Sequence, residues 1–231
     1  MCARVSVIVP TYNERENIAE LIKRIHNVLK KDYEIVVVDD NSPDGTAEIV
    51  TELSKEYPIK LIVRENKAGL ASAILEGFKN SDGEIIGVID ADLQHPPEMI
   101  EKLVEEIKKG NDIAIASRYV DGGVEKWPLT RKIISKGAIY LAKPILNGVE
   151  DPMSGFFFLK RSVIEGIEFN PKGFKLLLEI LVKGKYNSIS EIPYVFSDRM
   201  YGDSKMGKNE IMNYLRLLWR LYRYKLFKPT R

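Results

Sequence analysis

The feature that most restricts the fold is a repeated pairing in the first half of the chain. A short apolar run ends in polar or acidic residues, and a stretch with helical spacing follows. The runs are RVSVIVP (Arg4 to Pro10), YEIVVVDD (Tyr33 to Asp40), IKLIV (Ile59 to Val63), EIIGVID (Glu84 to Asp90) and DIAIASR (Asp112 to Arg118). Their length and β-branched content mark them as strands, and such apolar strands must be covered on both faces. Between them, Glu14 to Lys30 places Ile18, Leu21, Ile22, Ile25, Val28 and Leu29 at helical spacing. Thr46 to Glu56 and Leu70 to Asn80 read as further helices, and Pro96-Pro97 open one that runs to about Lys109. Strand and helix in alternation predict an open, mostly parallel α/β sheet with helices on both faces and a Rossmann-like N-terminal half.

After Arg118 the rhythm changes. Tyr119 to Lys126 reads as a loop, and Leu129 to Leu146 as a helix interrupted at Pro144. FFFLK (Phe156 to Lys160) reads as a strand, Phe174 to Val182 as a helix, and Asn187 to Arg199 as extended chain. Tyr201 to Lys208 is a polar loop before a long helix from Asn209 to Phe227. No repeat or low-complexity linker divides the chain. Its 231 residues are enough for one large domain with a sizeable core. A formal net charge of +2 gives no electrostatic signature for nucleic acid. The one cysteine, Cys2, excludes an internal disulfide or a Cys-based metal site and fits a reducing, cytosolic setting. A strand follows almost at once from the N-terminus, so no signal peptide is expected, and no apolar run is long enough to span a bilayer.

In an open α/β sheet, ligands bind at the carboxyl ends of the strands. Those ends carry Pro10-Thr11-Tyr12-Asn13-Glu14, Asp39-Asp40, Asp90 with Asp92, and Ser117-Arg118. Asp90 and Asp92 are two apart, so in extended chain they share a face. Two like charges held together invite a bridging divalent cation with a taste for oxygen, although a solvated turn has the same sequence. The glycine trio of dinucleotide folds and the GxxxxGK of P-loops are both missing. An acid after the second strand, Asp39, suits a ribose or base edge, and a cation at the acidic pair suits a diphosphate. Together they point to a nucleoside-diphosphate donor rather than NAD or ATP.

The stretches VSVIVPTYNERENI, IVVVDDNSPDGT, GLASAILEGF, VIDADLQHPPE, IASRY and DPMSGFF resemble the family 2 glycosyltransferases of GT-A fold. Within them, the chain is most similar to the polyprenyl-phosphate glycosyltransferases that include the dolichol-phosphate mannose synthases. The resemblance runs from about Val5 to Lys205. It implies transfer of mannose from GDP-mannose to dolichyl (polyprenyl) phosphate with inversion. It further implies that Asp39 contacts the base, with Pro10, Tyr12 and Glu14 lining that pocket. Asp90, Asp92 and Gln94 would hold Mg2+ or Mn2+ on the donor diphosphate. Arg118, Arg131 and Ser135 would hold the acceptor phosphate, and Arg199 and Lys205 would close over the phosphates from a loop. Arg131 and Ser135 are four apart, hence on one helical face. Asp151 to Gly155 is expected beside the sugar, or as an ordinary turn, and Gly69 as a tight turn or a point of close approach to the donor. UDP-glucose with the same acceptor is the near alternative. A non-enzymatic nucleotide-sugar-binding protein at the membrane is the alternative of another class, and a pyrophosphorylase lacks support because its Gly-rich signature is missing.

On this reading residues 1–208 form one catalytic domain. Residues 1–118 are its nucleotide-sugar half, 119–208 its acceptor half, and 209–231 a basic amphipathic helix. A phosphate acceptor is already an anion at neutral pH and needs positioning more than deprotonation. Neither histidine is an obvious base: His26 is expected on the outside of the first helix, and His95 can orient the acidic pair. A polyprenyl acceptor places the enzyme on the cytoplasmic side of a membrane as a peripheral protein. The candidate contacts are the apolar-basic stretch from Arg131 to Leu146 and the last helix, which carries no acidic residue after Glu210.

Overall fold

The computed structural model describes residues 4–125, 129–146, 148–170, 175–196 and 208–227. The first half runs β1 (Val5–Thr11), α1 (Ile18–Leu29), β2 (Tyr33–Asp39), α2 (Thr46–Leu53), β3 (Ile59–Val63), α3 (Leu70–Lys79), β4 (Ile85–Val88), α4 (Met99–Lys108) and β5 (Ile113–Ser117). The second half adds β6 (Val124–Glu125), α5 (Leu129–Ala142), β7 (Phe157–Lys160), α6 (Leu176–Lys183), β8 (Ile189–Pro193), β9 (Val195–Phe196) and α7 (Lys208–Phe227). Helix α1 starts at Ile18, the first of its apolar residues, rather than at Glu14, where the stretch read as helical opens. The amides of Glu14 and Arg15 are taken by Thr46 Oγ1 at the start of α2 and by Asp44 Oδ2 of the loop before it, so they hold a turn instead. Helix α5 tightens into a 3-10 turn at Lys143–Ile145, where Pro144 removes a donor and blocks the preceding turn.

Seven strands form one sheet in the order β3-β2-β1-β4-β7-β5-β8, and β6 pairs with β9 beside it. All neighbours in the main sheet are parallel except at β7, which is antiparallel to both β4 and β5. The mostly parallel architecture follows from the buried strands: β1, β2, β4 and β5 are buried along their whole length. Alternation sorts their side chains to two faces. Val5, Val7 and Val9 join Ile35, Val37 and the buried sides of α1 and α4. Ile8, Val36 and Val38 join α3, α5, α6 and α7 on the opposite face. Helix α7 therefore belongs to the same core as the sheet through Tyr214, Leu217, Leu218 and Leu221.

Strand β7 fits between β4 and β5 because Gly87 faces Phe158 across the ladder. A Cβ at Gly87 would overlap the Phe158 ring. Gly87→Ala should therefore destabilise the fold by about 1–3 kcal/mol through overpacking. Urea unfolding is the measurement, and an unchanged midpoint would show that the ring moves aside freely.

Candidate active site

The chain runs outward from β1 to β2 and β3, then returns to β4 on the other side of β1. That reversal leaves a crevice at the carboxyl ends of β1 and β4. The register sets both ends at one height: Ile8 pairs with Val88, which brings Pro10 level with Asp90. A cleft of about 620 Å³ opens there, a size suited to a small ligand. Pro10 lines it from the end of β1, Tyr12 and Glu14 from the loop that follows, and Asp90 and Asp92 from the loop after β4. Asp40, Lys67 and Gly69 complete its side.

The loops around the cleft carry unusual backbone. Asn13, Asn41 and Leu93 all have positive φ, at 60°, 54° and 60°. One follows each of β1, β2 and β4. Asparagine tolerates this region, whereas leucine does so at a cost that the surroundings must offset. Leu93 is held by burial in the apolar cluster of that face.

Asp39 and Asp40 divide the work that follows β2. Asp39 is fully buried and does not line the cleft. Thr11 Oγ1 and Ser42 Oγ donate to its Oδ1 at 2.7 and 2.6 Å, and the Ser42 amide donates to Oδ2 at 2.8 Å. A direct contact between Asp39 and a base would require this network to open. Asp40 does line the cleft. It accepts from Arg64 Nε at 2.5 Å and from the Gly69 amide at 3.2 Å. Arg64 in turn donates to Ser72 Oγ and to the Gly69 carbonyl. This network ties the β3–α3 loop to β2 and fixes Gly69, whose φ is 95°, at the cleft wall. Lys67 Nζ sits 3.4 Å from the centre of the Tyr12 ring, a cation–π contact at the mouth of the cleft.

Asp90 and Asp92 both line the cleft, but not as one face of a strand: β4 ends at Val88, the chain turns at Ala91-Asp92, and Ala91 between them lines the cleft too. The Asp92 residue is 5% exposed and its Oδ1 accepts from the Gln94 amide at 3.2 Å, whereas the side chain of Asp90 is 33% exposed. Among the described residues no group of three or more His, Cys, Asp or Glu side chains is arranged to hold a metal alone. Two carboxylates are nonetheless the usual protein share of a Mg2+ or Mn2+ site completed by water and phosphate oxygens. The donor set fits such an ion.

Arg118 lies away from the cleft lining and is buried. It forms a bidentate pair with Asp151, Nε to Oδ2 and Nη2 to Oδ1, both at 2.8 Å. The Arg118 amide also donates to Asp151 Oδ2 at 3.0 Å. Burial alone would lower the arginine pKa, but the hydrogen bonds and charge of Asp151 outweigh it and raise the value. The Asp151 turn is held from below by Glu191, which accepts from the amides of Glu150 and Asp151. Sequence spacing does not reveal this pairing. Ser135 lies within 2.9 Å of the Tyr119 hydroxyl, which brings α5 to the segment after β5. Arg131 falls on the first turn of α5, with its side chain outside the described part, and Arg199 and Lys205 lie outside the described residues.

With this geometry in view, residues 6–197 match the model of glycosyl transferase family 2, and the chain belongs to that family. It is 55% identical to the dolichol-phosphate mannosyltransferase of Pyrococcus furiosus over 96% of its own length and 64% of that protein's. The chain thus spans less than two thirds of that relative. It is 40% identical to the dolichol-phosphate mannosyltransferase of Saccharomyces cerevisiae, covering 97% of this chain and 89% of the yeast protein. The sheet superposes on glucosyl-3-phosphoglycerate synthase from Mycobacterium tuberculosis in complex with Mn2+, UDP-glucose and phosphoglyceric acid. The TM-score is 0.71 at 19% identity, over 99% of this chain and 82% of that one. Mannosyl-3-phosphoglycerate synthase from Rubrobacter xylanophilus matches with a TM-score of 0.71 at 18% identity, over 99% and 77% of the two chains. The fold is the GT-A glycosyltransferase fold.

The Arg118–Asp151 pair should matter to stability before it matters to chemistry. Asp151→Ala leaves the guanidinium buried without its carboxylate and should cost about 3–5 kcal/mol. Denaturant unfolding measures this, and a loss below about 1 kcal/mol would show that water or another group takes the place of Asp151.

Proposed function

We propose that this chain is an inverting mannosyltransferase that moves mannose from GDP-mannose to dolichyl (polyprenyl) phosphate. The observation that carries the proposal is the acidic pair Asp90 and Asp92 at the switch-point cleft, in a chain 55% identical to a dolichol-phosphate mannosyltransferase. Pro10, Tyr12 and Glu14 bind the nucleoside, with Asp39 shaping the floor beneath it. Asp90, Asp92 and Gln94 would hold Mg2+ or Mn2+ for the donor diphosphate. When bound, the ion neutralises the charge that grows on the departing nucleoside diphosphate.

The remaining work is positional. Arg131 and Ser135 orient the lipid phosphate, with the guanidinium of Arg118, held in place by Asp151, behind them, and Arg199 and Lys205 screen the phosphates on closure. A phosphate oxygen attacks the anomeric carbon as the bond to the diphosphate breaks, with inversion. The nucleophile is already an anion because its second pKa is near 6, so no side chain has to remove a proton.

The membrane contact is the outer face of α5 and α7. Ile133, Ile134, Tyr140 and Leu141 of α5 are exposed, as are Ile211, Met212, Leu215, Trp219, Leu226 and Phe227 of α7. The two helices are joined by hydrogen bonds from the Tyr214 and Tyr222 hydroxyls to the carbonyls of Ala138 and Leu141. Arg223 lies over the rings of Trp219 and Phe227. Apolar and aromatic side chains beside exposed cations suit an anionic bilayer surface on the cytoplasmic side. No helix among the described residues is long and apolar enough to cross a membrane.

Asp92→Asn should lower turnover about 100-fold or more, roughly 2.7 kcal/mol of barrier, with the fold intact by circular dichroism. Near-parental rates at saturating Mn2+, or full parental activity in EDTA, would remove the metal role. A matrix of GDP-mannose and UDP-glucose against dolichyl phosphate and phosphate-free dolichol tests the substrates, and preference for UDP-glucose would overturn the donor assignment.

The membrane reading has its own test. Arg216, Arg223 and Lys225 are exposed, whereas Arg220 reaches the buried Glu179 and serves the fold. Changing those three to Gln should remove up to about 1 kcal/mol of vesicle binding per residue that faces the lipid. Co-sedimentation with phosphatidylserine vesicles at low salt is the measurement, and unchanged binding by the folded variant would move the contact elsewhere.

A further inference from the structure

His95 has no part in the transfer step, yet it is among the most enclosed polar side chains near the cleft, at 3% exposure. Its ring is packed among Phe156, Tyr194 and Phe196 at centroid distances of 5.3, 5.6 and 5.3 Å. A buried imidazole must satisfy both nitrogens. Nδ1 lies 3.0 Å from the Tyr194 hydroxyl, and Nε2 lies 3.4 Å from Asp90 Oδ2.

These two contacts place a proton on Nε2. Burial pushes the Tyr194 phenol up, so it keeps its proton and can donate. If Nδ1 accepts from Tyr194, the ring proton of the neutral imidazole sits on Nε2 and faces the carboxylate. The other tautomer would turn the Nε2 lone pair toward Asp90, lone pair against anion. Tyr194 cannot drift from this place. Its amide donates to the Ser117 carbonyl and its own carbonyl accepts from the Val124 amide. Asp90 is confined from another side as well. A Cβ on Gly155 would come within 2.8 Å of the same Oδ2, so only a glycine lets the carboxylate lie where it does.

We propose that His95, held by the Tyr194 hydroxyl at Nδ1 with its Nε2–H toward the carboxylate, is the positioning residue that aims the Asp90 carboxylate at the donor's metal. The inference rests on the metal-binding role of Asp90 proposed above. It extends the donor site to Tyr194, a residue 104 positions away in sequence (194 less 90). Outer groups that orient a ligating carboxylate commonly change metal affinity by 10–100-fold.

The test measures Mn2+ binding directly, by the loss of the free-ion electron paramagnetic resonance signal in the presence of GDP. Tyr194→Phe removes one hydroxyl and keeps the ring. It should weaken Mn2+ binding about 10-fold while metal-free GDP binding stays the same. His95→Leu should do at least as much, and His95→Gln, whose amide can bring an N–H to the carboxylate, should recover most of the loss. Parental Mn2+ affinity in folded Tyr194→Phe overturns the proposal, even if the melting temperature falls. Equal losses in His95→Leu and His95→Gln overturn it too, because ring packing rather than the N–H would then be at work. If His95→Leu does not fold, Tyr194→Phe still decides. Failure of the parent to bind Mn2+, or parental affinity in Asp92→Asn, overturns the metal reading itself.

Discussion

The cleft depends on one ladder. Strand β1 is hydrogen-bonded in parallel to β2 on one side and β4 on the other. Parallel pairing sends all three carboxyl ends to the same edge, and register then decides which residues meet there. Thr11 opposite Asp39 makes the bond that closes the β2 loop. Ile8 opposite Val88, followed by the Ile89 amide donating to the Ile8 carbonyl, carries Asp90 to the height of Pro10. A slip of one residue at β4 would turn Asp90 and Asp92 into the sheet and their apolar neighbours out. Both faces of β4 are apolar and buried, so burial alone does not exclude that slip; the fit of Gly87 against the Phe158 ring, which only one register allows, does.

Around this ladder the local rules bend where ligands are expected. Positive φ at Asn13, Asn41 and Leu93 turns the loops that follow three neighbouring strands, β1, β2 and β4, sharply at the strand ends. Polar networks hold the loops in that shape. Asp44 accepts from the amides of Arg15 and Thr46 and from the Thr46 hydroxyl. Asp40 and Arg64 clamp the next loop to the start of α3. Several acids that a motif search would nominate as ligands are thus engaged in building the walls. The two that reach the cleft from β4 differ in kind: Asp92 is nearly enclosed, and Asp90 is a third exposed at its side chain.

The parallel half of the sheet is legible in the sequence because its signal is local. Apolar runs, helical spacing and polar strand ends can each be read within a few residues. The acidic pair is legible as a pair, but its route to the cleft is not: β4 stops at Val88, and a turn rather than the two-residue period of a strand brings Asp90 and Asp92 there. What escapes is long-range. FFFLK reads as a strand, but nothing nearby says that it enters antiparallel between β4 and β5, a placement that depends on Gly87 making room for Phe158. Arg118 reads as an anion-binding residue at a strand end, and only the fold brings Asp151 against it. Asp39 and Asp40 are adjacent and must point to opposite sides. Which of them faces the cleft is decided by Ser42 and Thr11, and sequence alone cannot weigh those bonds. The two-residue pairing of β6 with β9 is too short to leave a pattern.

Helix α7 shows a different limit. Its apolar residues form more than one stripe. Tyr214, Leu217, Leu218 and Leu221 follow the spacing of a single face, and that face is buried against the core. Ile211, Leu215 and Trp219 recur every four residues on another side, and they are exposed. A helix with one apolar stripe can satisfy it by packing on its own domain. A helix with two cannot, unless a second surface covers the other. Sequence shows the surplus of apolar residues without saying which stripe turns inward. The inward choice is made by partners far away in the chain. The carbonyl of Ala138 takes the Tyr214 hydroxyl, and the buried carboxylate of Glu179 faces both Lys183 and Arg220. Arg220, although one of the cations of a basic helix, is therefore committed to the fold. Among the described side chains of this helix, the cations left at the surface are Arg216, Arg223 and Lys225, and Arg223 lies over the rings of Trp219 and Phe227. The division of one helix into a face that completes the core and a face that awaits a surface links the stability of the domain to the side from which a lipid acceptor would approach.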